Sequence, residues 1–207
     1  MKFDIIGDIH GRFETLTQLL KTLGYAPRKG VWRHEERKAF FLGDYIDRGS
    51  QPRETLHLIR GMVDAGNAVA LMGNHELNAV AYHTRDSNGN PLRAHTPQNR
   101  KQHEATLKAF SAHPTEWAGW LEWFKRLPFF YEAPEFRAVH ACWCEKSVER
   151  LRDQSLSDPD FLFLANQRET DECDAVETLL KAQAFGLGFD LAGISTLGPA
   201  DTHEQFT

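Results

Sequence analysis

Three short stretches set acids, imidazoles and an amide beside glycine: GDIHG at 7–11, GDYIDRG at 43–49 and GNHE at 73–76. Asp8 and His10 stand one residue apart, Asp44 and Asp47 share the second stretch, and Asn74 adjoins His75 in the third. These are the side chains that hold cations and carry protons. Gathered in one place, so many carboxylates would repel, and one would be driven to its neutral form unless positive charge were supplied. A divalent cation supplies it. Oxygen donors mixed with imidazole and without thiolate favour manganese, iron or zinc, with nickel also open, over a calcium cage or a structural zinc site. A carboxylate such as Asp44 can bridge two ions, and two ions about 3.5–4 Å apart activate water and clamp a phosphoryl oxygen. The glycines beside the acids let the backbone turn sharply and come close to an ion.

For that chemistry to occur, the three stretches must meet. Each follows an apolar run: residues 2–7, then KAFFLGD, then AVALMGN, all reading as buried strands. Between them, RFETLTQLLKTLG spaces Phe13, Leu16, Leu19, Leu20 and Leu23 as on one face of a helix that Gly24 stops, and RETLHLIRGMVDAG repeats the pattern up to Gly66. Glu76 to Tyr82 can begin a further helix. The order β-α-β-α-β predicts a parallel or mostly parallel sheet with helices on its faces, and ligands of such sheets bind beyond the carboxyl ends of the strands. All three motifs lie at those ends. A fourth apolar strand, FRAVHACW, delivers His140.

Residues 84–104, TRDSNGNPLRAHTPQNRKQHE, are polar and rich in turn formers and read as an inserted loop or cap. Helical material follows in WAGWLEWFKRLP, whose Trp117, Trp120 and Trp123 recur every three residues, a stripe better suited to a core than to a cofactor box. His83, His95, His103 and His113 show no metal spacing and read as surface residues.

The chain has 207 residues, 41% hydrophobic and 26% charged, the balance of a globular protein with a proper core. Its net charge of −5 disfavours a general nucleic-acid binder, and a small anionic substrate would need local help from metal or arginine. No apolar run of about 18 residues marks a membrane span, and the N-terminus lacks a signal-peptide pattern, so a cytoplasmic protein is expected. Cys142, Cys144 and Cys173 support neither a disulfide framework nor a four-thiolate zinc site.

The three motifs, in this order and at strand ends, resemble the signature of the calcineurin-like metallophosphoesterases, in the phosphoprotein phosphatase branch that holds bacterial Ser/Thr phosphatases and diadenosine tetraphosphatases. The resemblance covers roughly residues 1–145. It implies an α/β fold, a metallophosphoesterase β-sandwich flanked by helices, within a domain spanning 1–180 that carries an inserted cap at 84–128. It implies Asp8, His10 and Asp44 on a first metal ion, and Asp44, Asn74 and His140 on a second, manganese being the favoured metal. His75 would be the general acid, oriented by Asp47 as the second member of a catalytic pair, while Arg48, with Asn74, would bind phosphate. The implied enzyme hydrolyses phosphomonoesters or nucleotide polyphosphates by attack of a hydroxide held on the two ions. Its substrates would be phosphorylated small molecules, nucleotides or phosphoproteins, with small or nucleotide substrates favoured by the acidic surface and aromatic insert.

The family completes its second metal site with a downstream Gly-His segment, whereas His203 alone follows His140 here and has no preceding glycine. The expectation is therefore a weakened second site and an incomplete second sheet. Exposed apolar surface would follow, a route to oligomers, and the alternative function is an impaired metal-binding remnant or regulatory module. The atypical tail, 181–207, is similar from about residue 182 to the opening segment of epoxyqueuosine reductases, an unrelated family.

Overall fold

The computed structural model describes residues 2–134 and 136–181. Residues 182–207 of the atypical tail, His203 among them, lie outside the described residues. Strand β1 (Lys2–Ile6) leads through GDIHG into α1 (Phe13–Thr22), and Gly24, at φ +88°, turns the chain away from that helix. A short hairpin follows, β2 (Ala26–Arg28) and β3 (Val31–Arg33), closed by Lys29 and Gly30, both at positive φ as a tight two-residue hairpin turn requires. This hairpin escaped the periodicity reading because three-residue strands leave no measurable alternation.

Strand β4 (Arg37–Phe41), helix α2 (Pro52–Asp64) and strand β5 (Ala68–Ala70) complete the βαβαβ unit. The three strands form one parallel sheet in the order β1-β4-β5, in the register Ile6 opposite Phe41 and Phe41 opposite Ala70. Successive side chains of β4 point to opposite faces. Ala39 and Phe41 join the core that contains Leu56, Ile59 and Met62 of α2, while Phe40 meets Phe3, Tyr131 and Phe136 edge-on with ring centroids 5.2–5.5 Å apart. Those last two aromatics bring in a second, antiparallel pair of strands, β6 (Phe130–Glu132) and β7 (Arg137–Val139), which packs on that side of the sheet. The expected fourth strand thus exists as β7, paired with β6.

Helix α3 (Asn74–His83) starts directly at the third motif. Polar chain then runs only to Thr96, where the structure departs from the loop expected through 104. Helix α4 (Pro97–Phe110) begins there, with Thr96 as N-cap accepting from the Asn99 N–H at 3.2 Å and proline in the first turn. The cap was present in the sequence, but the surrounding polar composition masked it. Helix α5 (Pro114–Phe124) carries the tryptophan stripe into the core, where Trp117, Trp120 and Trp123 are each at most 8% exposed. Three further helices, α6 (Glu145–Leu151), α7 (Pro159–Leu164) and α8 (Asp171–Leu180), close the described chain, and the Ala141 N–H just after β7 donates to the Leu179 carbonyl at 2.9 Å.

Candidate metal centre and acid–base pair

Beyond the last paired residues of the sheet, the motif loops remain knitted together by backbone hydrogen bonds. The His10 N–H donates to the Asp44 carbonyl at 2.8 Å, Gly11 to Tyr45 at 2.7 Å, and Gly49 back to His10 at 2.8 Å. This close approach explains the glycines. A Cβ on Gly73 would sit 2.3 Å from the Asp44 nitrogen and 2.5 Å from its Oδ1, and one on Gly49 would sit 2.3 Å from the His10 carbonyl oxygen. The loops are also strained. Of the seven non-glycine residues at positive φ among the described residues, five are Asp8, His10, Asp44, Asp47 and Arg48. Such backbone costs about 1–3 kcal/mol per residue and persists only where neighbours enforce it.

Much of that enforcement comes from Glu76, to which the sequence analysis assigned no role. Fully buried, its Oε1 accepts from the Tyr45 N–H at 2.8 Å, and its Oε2 from Asp44 at 2.8 Å and Gly73 at 3.1 Å. It fastens the second motif to the third. Burial and the neighbouring Asp44 charge push its pKa up to about 8, against the pull of those N–H donors and of His75. Tyr45, equally buried, fixes the same turn by donating its hydroxyl to the Leu71 carbonyl at 2.6 Å.

Ligand atoms gather around Asp44, which is 4% exposed, but in sets other than the expected ones. Among the described residues, two groups of ligand atoms lie within 4.8 Å of one another, Asp8 with Asp44 and His140, and His10 with Asp44 and His75, so both share Asp44. Asn74 adjoins through His140, whose Nε2 is 3.1 Å from the Asn74 Oδ1 and 3.5 Å from the Asp44 Oδ1. His140 Nδ1 faces the Leu42 carbonyl at 2.9 Å and His10 Nδ1 the Ile46 carbonyl at 3.1 Å, and a carbonyl only accepts. Each ring therefore donates through Nδ1 and turns its Nε2 toward Asp44. The His10 Nε2 is buried, 3.7 Å from the Asp44 Oδ2, and has no hydrogen-bond donor. Burial, the largest influence, lowers the His10 pKa and favours the neutral form that binds metal. Lone pairs facing lone pairs are stable when a cation sits among them, so the residues present fit divalent metal.

His75, a member of the second group, also pairs with Asp47. His75, 9% exposed, directs Nδ1 to the Asp47 Oδ2 at 2.6 Å and holds Nε2 3.9 Å from the Asp44 Oδ2. Burial opposes charge on His75, but the Asp47 bond and the nearby Asp44 outweigh it and raise its pKa, as suits a proton donor. Burial also opposes the charge of Asp47. Its bonds from His103, His75 and Thr106 prevail and hold the carboxyl well below its usual range.

His103 corrects the sequence reading. It is not a surface residue but 5% exposed, with Nδ1 2.8 Å from the Asp47 Oδ1. The signal was the spacing of His103 and Thr106, three residues apart on one face of α4, legible only once that segment is known to be helical. Arg48, by contrast, is exposed and makes no ion pair among the described residues, because both Asp47 oxygens are taken. With His75, Gln98, Lys101 and Gln102 it lines a cleft of about 390 Å³.

Known proteins sharpen this picture. Bis(5'-nucleosyl)-tetraphosphatase PrpE [asymmetrical] of Halalkalibacterium halodurans is 41% identical over 76 residues, 36% of this chain and 31% of that one. The symmetrical bis(5'-nucleosyl)-tetraphosphatase of Vibrio cholerae is 29% identical over 178 residues, 83% of this chain and 58% of that one. The chain thus spans from a third to somewhat over half the length of these relatives. The crystal structure of the cold-active protein-tyrosine phosphatase of a Shewanella species shares the fold, with a TM-score of 0.50 at 18% identity over 84% of this chain and 51% of that one. The family model described as calcineurin-like phosphoesterase matches residues 1–183, and the chain belongs to that family.

Proposed function

We propose that the protein is a metal-dependent phosphoesterase whose substrates are nucleotide polyphosphates or small phosphomonoesters. The observation that carries this reading is that Asp44 is shared by a group with Asp8 and His140 and a group with His10 and His75, while His75 also bonds the buried Asp47. Asp8, His10 and Asp44 would hold one ion, and Asp44, Asn74 and His140 another. Bound divalent ions would lower the pKa of a water and neutralise charge growing on the phosphoryl oxygens.

The remaining steps belong to the chain's own side chains. Arg48, exposed at the cleft and without an ion pair among the described residues, presents a guanidinium fork to phosphate oxygens. His75, oriented by Asp47, gives its Nε2 proton to the leaving oxygen. The relatives named as bis(5'-nucleosyl)-tetraphosphatases support a nucleotide substrate. The cleft adds Arg48 and Lys101 as cations for a second phosphate, beside the carboxylate of Glu104. No helix among the described residues is long and apolar enough to cross a membrane.

The test is turnover of p-nitrophenyl phosphate with and without added manganese, followed by dinucleoside tetraphosphate and phosphopeptide at equal concentration. Manganese-dependent hydrolysis that is faster on the dinucleotide is the expected result. Silence at high protein concentration with manganese present would overturn the reading.

A further inference from the structure

The geometry points to His103, assisted by Thr106, as the residue that positions the general acid, a role that rests on the reading of His75 above. Asp47 has two carboxylate oxygens and must keep one aimed at His75. Helix α4 occupies the other. The Asp47 Oδ1 accepts from the His103 Nδ1–H at 2.8 Å and from the Thr106 hydroxyl at 2.6 Å, while the Thr106 oxygen accepts from the Asp47 N–H at 3.0 Å. Only Oδ2 is left to receive the His75 Nδ1–H, at 2.6 Å.

These contacts are dry, Asp47 being 3% exposed, His103 5% and Thr106 fully buried, so water cannot replace a lost donor. His103 is also oriented for this task alone. Its Nε2 is buried without a hydrogen-bond partner, and its ring lies 5.4 Å from that of Tyr82 and 5.8 Å from that of Trp117, centroid to centroid. Nδ1 is therefore the His103 ring nitrogen that meets a carboxylate oxygen, and it donates to Asp47. Asp47 itself sits at φ +69°, a conformation its neighbours must enforce, and Thr106 grips both its backbone and its side chain. The insert therefore reaches the chemistry through a carboxylate rather than by touching the phosphate.

The proposal separates from a merely structural role by leaving-group dependence. An acid must be well placed to expel an alkoxide, whereas p-nitrophenolate leaves without a proton. In the manganese-supplemented 207-residue chain, His103→Phe removes the donor, and His103→Asn puts an amide N–H where Nδ1 stood. Relative to wild type, H103F should lower kcat on an alkyl phosphate such as glycerol phosphate by about tenfold, a fraction of what general acids contribute, and on p-nitrophenyl phosphate by less than about twofold, with KM steady on both. H103N should restore the alkyl-phosphate rate to within about twofold of wild type, since it keeps the hydrogen bond.

His75→Asn is the reference. If it shows strong leaving-group dependence and H103F shows none, or an equal loss on both substrates, positioning by His103 is wrong while the acid assignment stands. If His75→Asn itself shows no such dependence, both fall. The metal-free protein gives an independent reading: the downfield imidazole N–H resonance of His75 bonded to Asp47 should persist in H103N and broaden or move in H103F. An unchanged resonance in H103F overturns the proposal. Should H103F not fold, Thr106→Val withdraws the other donor at nearly constant volume and carries the same expectations.

Discussion

The two halves of the site treat polar groups in opposite ways. Around Asp44, capacity is left uncommitted: the His10 Nε2 has no donor, the His140 Nε2 faces oxygen lone pairs, and Asp8 is exposed at the mouth. Around Asp47 and Glu76 the carboxylate oxygens are satisfied, with three bonds to Asp47 and three to Glu76, though the neighbouring His103 Nε2 has no partner. The contrast teaches how to separate two kinds of buried acid. Lone pairs held ready for an ion mark ligands, while saturated oxygens mark groups whose task is to orient something else.

Removing a shared ligand should do the most. Asp44→Asn is expected to abolish tight manganese binding in calorimetry and to cut p-nitrophenyl phosphate turnover by about 10³-fold or more, as losing metal activation of water would, with little change in melting temperature of the metal-free protein. If it binds manganese like wild type, Asp44 does not belong to the ligand half. Glu76→Gln should show the reverse emphasis. It turns an amide NH₂ against backbone N–H donors and should cost about 2–3 kcal/mol of stability in denaturant unfolding. A neutral effect would mean that the clamp contributes nothing.

Glycine makes a subtler comparison. Gly73→Ala forces a methyl against Asp44 and should lower stability by about 1–3 kcal/mol. Gly61→Ala, inside α2 with nothing within 4 Å of the new carbon, should raise it by about 0.5–1 kcal/mol. Like-signed changes would show that close loop contact is not why Gly73 is needed. The smallest expected effect concerns acid. Because the Asp47 carboxyl titrates below its ordinary value in the folded state, its stabilising contribution is present above that ordinary value, near 3.8, and fades as pH falls through the lower folded one. The melting-temperature gap between wild type and Asp47→Asn should therefore narrow below about pH 4. A gap that is constant with pH would mean that the carboxyl is not held ionised by its neighbours.

Much of this was legible in the chain because it is local. Alternation and helical spacing gave the βαβαβ unit, and strand order alone carried Asp8, Asp44 and Asn74 to one edge. The tryptophan stripe reads as core, and is core. Glu76 and His103 share a reason for having been missed: besides the local Glu76–Gly73 contact and the His103–Thr106 spacing, their meaning lies in partners 31 to 56 residues away. A histidine in a polar stretch looks exposed until Thr96 and Pro97 are recognised as the start of a helix that turns it inward.

The clamp made by Glu76 has a thermodynamic consequence for loading. Because protein atoms alone fix the turns at Asp44, Tyr45 and Gly73, a cation entering the cradle has little chain to order, and its affinity is not eroded by the entropy of assembling a site.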